Sequence, residues 1–155
     1  MVKSMNNHKK IQQILKQFGE RIALETLELN EDGSCRIIFD NHLEVNLEVD
    51  DVTDSLLLIS PVVKADEELF ADALELNLFW GQLHGCRFIL LRSAGVLALM
   101  RRLSIKKLDM ATFEETLEMF LETVTVWRTA FEDSPREKEK AAACGWNVQS
   151  FVGRA

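Results

Sequence analysis

The residue types that most often do chemistry are thinly spread along this chain. Its three histidines, His8, His42 and His84, fall in separate segments, and none has a Cys, Asp or Glu at the spacing of a metal site. Asp40 and His42 flank a tight turn, where surface residues are expected. The three cysteines, Cys35, Cys86 and Cys144, are far apart and form no CxxC pair, so they read as reduced thiols of a cytoplasmic protein. Cys86, beside Gly85 and His84, invites a nucleophile reading, but a core cysteine on a strand is the simpler account. No serine lies in a GxSxG setting, and no phosphate-cradling glycine motif occurs. The acid pairs Asp50-Asp51, Asp66-Glu67-Glu68 and Glu114-Glu115 suit helix starts and solvated faces, whereas a glycosidase pair needs a cleft. Arg101-Arg102 with Lys106-Lys107 lack the interleaved aromatics of a nucleic-acid platform. The sequence thus predicts a non-catalytic binding protein with no metal and no cofactor.

Charge narrows the partners. The chain has 155 residues and a formal net charge of -7, which repels nucleic-acid phosphates. Residues 1–21 hold five bases against one acid, 22–79 fifteen acids against two bases, and 80–110 six bases against one acid. Such stretches either face each other or lie on solvated faces. No run approaches the roughly 20 apolar residues of a membrane span. Met1 to Asn7 has no apolar core of the kind a secretory leader carries, so none is expected.

The elements that must build any binding surface follow from periodicity. Ile11, Ile14, Leu15 and Phe18 recur at helical spacing and predict a helix over 5–18, stopped at Gly19. A short strand is expected over 24–29, then a turn at Asn30-Glu31-Asp32-Gly33-Ser34, then a strand over Cys35–Phe39. Leu43, Val45, Leu47 and Val49 alternate with polar residues, a strand with one wet face. Leu56–Ile59 reads as a third strand, stopped by Ser60-Pro61. The short links make these three an antiparallel meander. Residues 66–80 predict a helix whose apolar surface exceeds one stripe and therefore needs cover on two sides, the second side from another copy of the chain. Strands follow at Cys86–Leu91 and Val96–Met100. Phe113, Leu117, Phe120, Leu121, Val124, Trp127 and Phe131 predict a long closing helix, capped by Asp109 or by Thr112 with Glu115, and ended at Ser134-Pro135. The result is one α+β domain, α-β-β-β-α-β-β-α, over 1–132, with an extension over 133–155 whose PREKEK run and Trp146, Val148 and Phe151 show no clear period. The helix 66–80 and strand 86–91 place Leu76, Phe79, Trp80 and Phe88 at a homodimer interface. The first helix and the meander carry more apolar residues than one thin layer hides. Leu15, Phe18, Ile37, Phe39, Val45, Leu47 and Leu57 are therefore the expected partner-binding residues, although Ile37 and Phe39 could equally be core.

This order of elements resembles the class I, Tir-chaperone-like chaperones of bacterial type III secretion. The strand–acidic turn–strand of Leu29–Ile37, the helix LFADALELN (69–77) with its Leu74-Glu75-Leu76-Asn77 ending, and the closing helix from Leu103 to Trp127 carry the likeness, over roughly residues 5–131. It implies a twisted antiparallel sheet flanked by three helices, and a homodimer in the bacterial cytoplasm. It also implies binding of the N-terminal, non-globular segment of one or more secreted effectors until the secretion ATPase takes them. Ser60-Pro61-Val62-Val63 departs from the glycine-containing link that members often have. The alternative reading is a small regulatory interaction module of the anti-activator type.

Overall fold

A computed structural model describes residues 2–24, 26–79 and 81–133. The element order is α1 (Val2–Arg21), β1 (Ser34–Phe39), β2 (Leu43–Asp50), β3 (Ser55–Lys64), α2 (Glu67–Leu76), β4 (Cys86–Leu91), β5 (Val96–Ser104), a single 3-10 turn at Ile105–Lys107, and α3 (Met110–Glu132). The five strands form one sheet in the order β1-β2-β3-β5-β4. This is the expected α-β-β-β-α-β-β-α arrangement. The described residues divide into two compact units, the first spanning 2–60 with 100–120 and the second 61–99 with 121–133.

In the first unit, β1 and β2 pair antiparallel with Ile37 opposite Val45 and Cys35 opposite Leu47. β2 pairs β3 with Leu47 opposite Leu58. One face of this meander therefore carries Cys35, Ile37, Leu43, Val45, Leu47, Leu56 and Leu58, all buried. Ile11, Ile14, Leu15 and Phe18 of α1 are buried as well, each such side chain contributing about 1.5–3 kcal/mol. Phe18 meets Phe113 of α3 edge to face at 5.4 Å. Lys10 of α1 donates through Nζ to the Ile105 carbonyl at 2.6 Å, tying the helix to the 3-10 turn.

In the second unit, Asp66 caps α2 by accepting from the Glu68 N–H at 3.0 Å. Phe88, Trp127 and Phe131 pack as an aromatic cluster with ring centres 5.4 to 6.2 Å apart. The last residue of the LELN ending has a structural task. The Asn77 amide donates to the Phe88 carbonyl at 3.1 Å and accepts from the Phe88 N–H at 2.7 Å, standing in for a neighbouring strand along β4.

Several elements differ from their expected bounds, each for a physical reason. α1 continues through Gly19 to Arg21, and the glycine serves the close approach of the Leu24 carbonyl instead of stopping the helix. A Cβ on Gly19 would lie 3.0 Å from the Leu24 carbonyl oxygen. β3 passes through Pro61 to Lys64, since its pairing with β2 ends at Ile59 and proline's missing N–H costs no bond on that side. α2 ends at Leu76, where Asn77 turns to β4, four residues short of the expected end. β5 runs past Met100 to Ser104, because Arg102 exposed and Leu103 buried continue the period of two. Asp109 makes the cap of α3, accepting from the Thr112 N–H at 2.7 Å. The expected end of α3 at Ser134-Pro135 and the extension beyond Asp133 lie outside the described residues.

Candidate functional site

The strand expected over 24–29 does not form, and what replaces it shapes the first unit's open edge. After α1 the chain turns back, with the Leu24 N–H donating to the Gly19 carbonyl at 2.9 Å. It then runs past Gln12, whose side-chain amide donates to the Leu27 carbonyl at 3.2 Å and accepts from the Leu29 N–H at 2.8 Å. Backbone groups two residues apart can meet one side chain in this way only if the segment is extended. Residues 26–29 are therefore strand-like but held by a side chain. A groove of about 520 Å³ lies along them, lined by Gln12, Lys16, Glu20, Leu24 and Thr26–Leu29.

Strand β1 lies at an end of the sheet. The Val49 N–H donates to the Gly33 carbonyl at 3.0 Å, so the backbone groups of the odd-numbered residues 33, 35 and 37 face β2. Those of Ser34, Arg36 and Ile38 face outward. The Asn30 N–H takes up the outward Ser34 carbonyl at 2.7 Å, the first rung of a hairpin. Arg36 and Ile38 have no backbone partner on that side among the described residues. Their side chains are exposed, Ile38 by 54%. Arg36 pairs with Glu44 across the strand at 2.6 Å. An unpaired strand edge bearing one exposed isoleucine and one tethered arginine is chemically a main-chain hydrogen-bonding surface.

The turn beside this edge is fixed by α1. Gly33 has a φ of 79°, and a Cβ there would lie 2.8 Å from His8 Cε1. The His8 Nε2 is 3.3 Å from an Asp51 carboxylate oxygen, which also accepts from the Ser4 hydroxyl at 2.6 Å. Asn7, buried, donates to Asp54 at 3.0 Å. The Ser4 hydrogen bond, which outweighs the opposing desolvation, and after it the Asn7 hydrogen bond and the charge of His8 hold the Asp51 carboxyl below its ordinary range. Burial raises the Cys35 thiol, which disfavours the reactive thiolate. Cys86 is buried at the start of β4 and His84 sits exposed in the preceding turn. Among the described residues, no group of three or more His, Cys, Asp or Glu is placed to hold a metal ion, and no helix is long and apolar enough to cross a membrane.

The sequence-predicted binding residues divide sharply by exposure. Leu15, Phe18, Ile37, Val45 and Leu47 are brought together, but as buried side chains of the first unit, because the inner face of the meander and the apolar stripe of α1 are both fully used in its core. Phe39 shares that inner face at its half-exposed end. Leu57 lies half-buried on the opposite face, opposite Glu48. Of the expected interface residues in the second unit, Leu76 is half-buried and Phe79 is 39% exposed. Phe88 is buried in the aromatic cluster, and Trp80 lies outside the described residues. Leu74 and Leu78, exposed by 70% and 71%, stand beside Phe79 in the chain. The residues that sequence reasoning missed are Gln12, Arg36 and Ile38. Gln12 sits a quarter turn from the apolar stripe of α1, the one signal available for it.

The family model of the Tir chaperone protein (CesT) family matches residues 13–128. The transcriptional anti-antiactivator ExsC of Pseudomonas aeruginosa is 29% identical over 143 residues, which is 90% of this chain and 97% of that protein. Among solved structures, a chain of an ExsC–ExsE complex superposes with a TM-score of 0.72 at 26% identity, covering 79% of this chain and 93% of the other. A chain of the HopA1–SchA chaperone–effector complex reaches 0.70 at 22% identity, covering 81% and 97%, which establishes likeness of fold. With three helices and a five-stranded sheet in this order among the described residues, and the family model matched over three-quarters of its length, this chain is a member of the Tir chaperone protein (CesT) family.

Proposed function

We propose that this chain is a non-catalytic type III secretion chaperone of the bacterial cytoplasm. It binds the N-terminal, non-globular segment of a secreted protein and keeps it extended until the secretion ATPase takes it. The observation that carries the reading is the open edge of β1, where the backbone groups of Arg36 and Ile38 have no partner among the described residues. An extended segment can add there as a further strand, with main-chain hydrogen bonds supplying affinity irrespective of sequence. Such a strand continues both sheet faces. On the inner face it reaches Phe39, with Leu15, Phe18, Ile37, Val45 and Leu47 as the rigid layer beneath. On the outer face it meets Ile38, with Leu57 farther in. A non-globular client loses conformational entropy on binding, so a preformed edge on a packed sheet limits the cost to one partner. The HopA1–SchA complex, a chaperone with its effector, supports this reading.

The chain acts as a homodimer in this account. Leu74, Leu78 and Phe79 form an exposed apolar run at the end of α2, and Leu90 adds to the exposed apolar surface of the same unit. A second reading, that the bound partner is a regulator of secretion genes, is favoured by the 29% identity to an anti-antiactivator. Both readings use the same edge. Affinity capture of the tagged full chain from a secreting strain separates them: an exported protein supports the chaperone reading, and a transcriptional regulator alone overturns it.

A further inference from the structure

The turn that opens the first unit is a hairpin closed at its first rung and open beyond it. The Asn30 N–H donates to the Ser34 carbonyl at 2.7 Å, and this rung sets the register of whatever follows. Continued, it would place Glu28 opposite Arg36 and Thr26 opposite Ile38. The backbone groups needed for those rungs point the right way. In an extended segment alternate residues face alternate sides, so Thr26 and Glu28 share the side on which Asn30 meets β1, while Leu27 and Leu29 share the other. The rungs do not form, and among the described residues Thr26 and Glu28 have no backbone partner. What holds the segment back is α1. Gln12 occupies both the Leu27 carbonyl and the Leu29 N–H. The missing side chain of Gly19 lets the chain come close where the segment begins, for a Cβ there would lie 3.0 Å from the Leu24 carbonyl oxygen.

We propose that Gln12 is a latch: by standing in for a neighbouring strand it holds residues 26–29 against α1, and so keeps the β1 edge open for a partner segment. Released from the latch, residues 26–28 zip onto β1 and close the edge, an internal competitor for the partner's place. The proposal rests on the reading of β1 as the binding edge, and it assigns to this chain its own device for holding that edge open. The chemistry recognised at the edge is that of an extended polypeptide offering alternate N–H and C=O groups.

Amide exchange by NMR on the full chain tests the latch without any partner. In the wild type, the Glu28, Arg36 and Ile38 amides exchange fast and Leu29 is protected. In Gln12→Ala, Glu28 and Arg36 become protected by roughly tenfold, the effect of gaining one ordinary hydrogen bond, and Leu29 loses protection. Gly19→Ala, which favours the helix but crowds the segment, gives the same exchange pattern by a different route. Fast exchange at Glu28 and Arg36 in both variants overturns the latch. A short capped peptide alternating valine with threonine and lysine, at millimolar concentration, then reports on the edge. It shifts the Arg36 and Ile38 amides of the wild type and not those of Gln12→Ala. If the variants zip closed but the peptide moves neither protein, the latch stands and the edge is not the binding site.

Discussion

Replacing Gly33 with alanine tests the close approach of α1 to the turn that leads into β1. Gly33 has a φ of 79°, in the left-handed region, where a Cβ costs about 1–2 kcal/mol on its own. The added carbon would also lie 2.8 Å from His8 Cε1, closer than real contacts allow, and a tight 3.0 Å from His8 Nε2. The imidazole can turn aside only by giving up the 3.3 Å contact of its Nε2 with Asp51. Relieving such a contact by moving a packed side chain costs roughly another 1–3 kcal/mol. Gly33→Ala should therefore destabilise the chain by about 2–5 kcal/mol in urea unfolding, but by only about 1–2 kcal/mol when made on a His8→Ala background. The difference, about 1–3 kcal/mol in a double-mutant cycle, measures the steric contact itself. Equal costs in both backgrounds would refute the reasoning, since the penalty would then be backbone strain alone.

Other outcomes follow from the same geometry. Val45→Asp places an unpaired charge in a fully buried site, costs several kcal/mol and leaves a chain that fails to unfold cooperatively by circular dichroism. Ile38→Pro, at the exposed edge, keeps the fold but removes an outward N–H and abolishes partner capture. Leu78→Asp converts a wild-type dimer into a folded monomer by light scattering, and a monomeric wild type contradicts the interface. Because the folded Asp51 carboxyl is depressed, its contribution is fully present above the unfolded value of about 3.9 and is lost as the pH falls through the lower folded value. The variant Asp51→Asn should accordingly be less stable at pH 7, with a shallower loss of stability in urea titrations taken below pH 4.

The elements were legible in the sequence where periodicity is unambiguous. The alternation of Leu43, Val45, Leu47 and Val49 and the helical recurrence of Phe113 to Phe131 each produced the expected element. Which face of β1 is core was not legible, because Ile37 and Ile38 are both apolar and point opposite ways. Only the register to β2 and the stripe of α1 decide that Ile37 is buried and Ile38 exposed. The strand expected over 24–29 failed for a reason no local pattern contains. Its pairing partner is the Gln12 side chain, fifteen residues away in sequence from Leu27. The LELN ending was legible as a motif, but its task, satisfying both backbone groups of Phe88, appears only with β4 in place. Pro61 reads as a stop because a proline signals a lost hydrogen bond, whereas pairing with β2 has already ended there and β3 runs on.

The central claim is that a partner adds as a strand to β1, and one measurement addresses it most directly. The tagged full chain, isolated from a type III-secreting bacterium that expresses it together with its bound partner, is compared with the partner-free chain by amide exchange. Protection of Arg36 and Ile38 only in the complex, with the protected part of the partner lying in its N-terminal non-globular segment, is the predicted result. A complex in which those two amides exchange as fast as in the free chain would contradict the account.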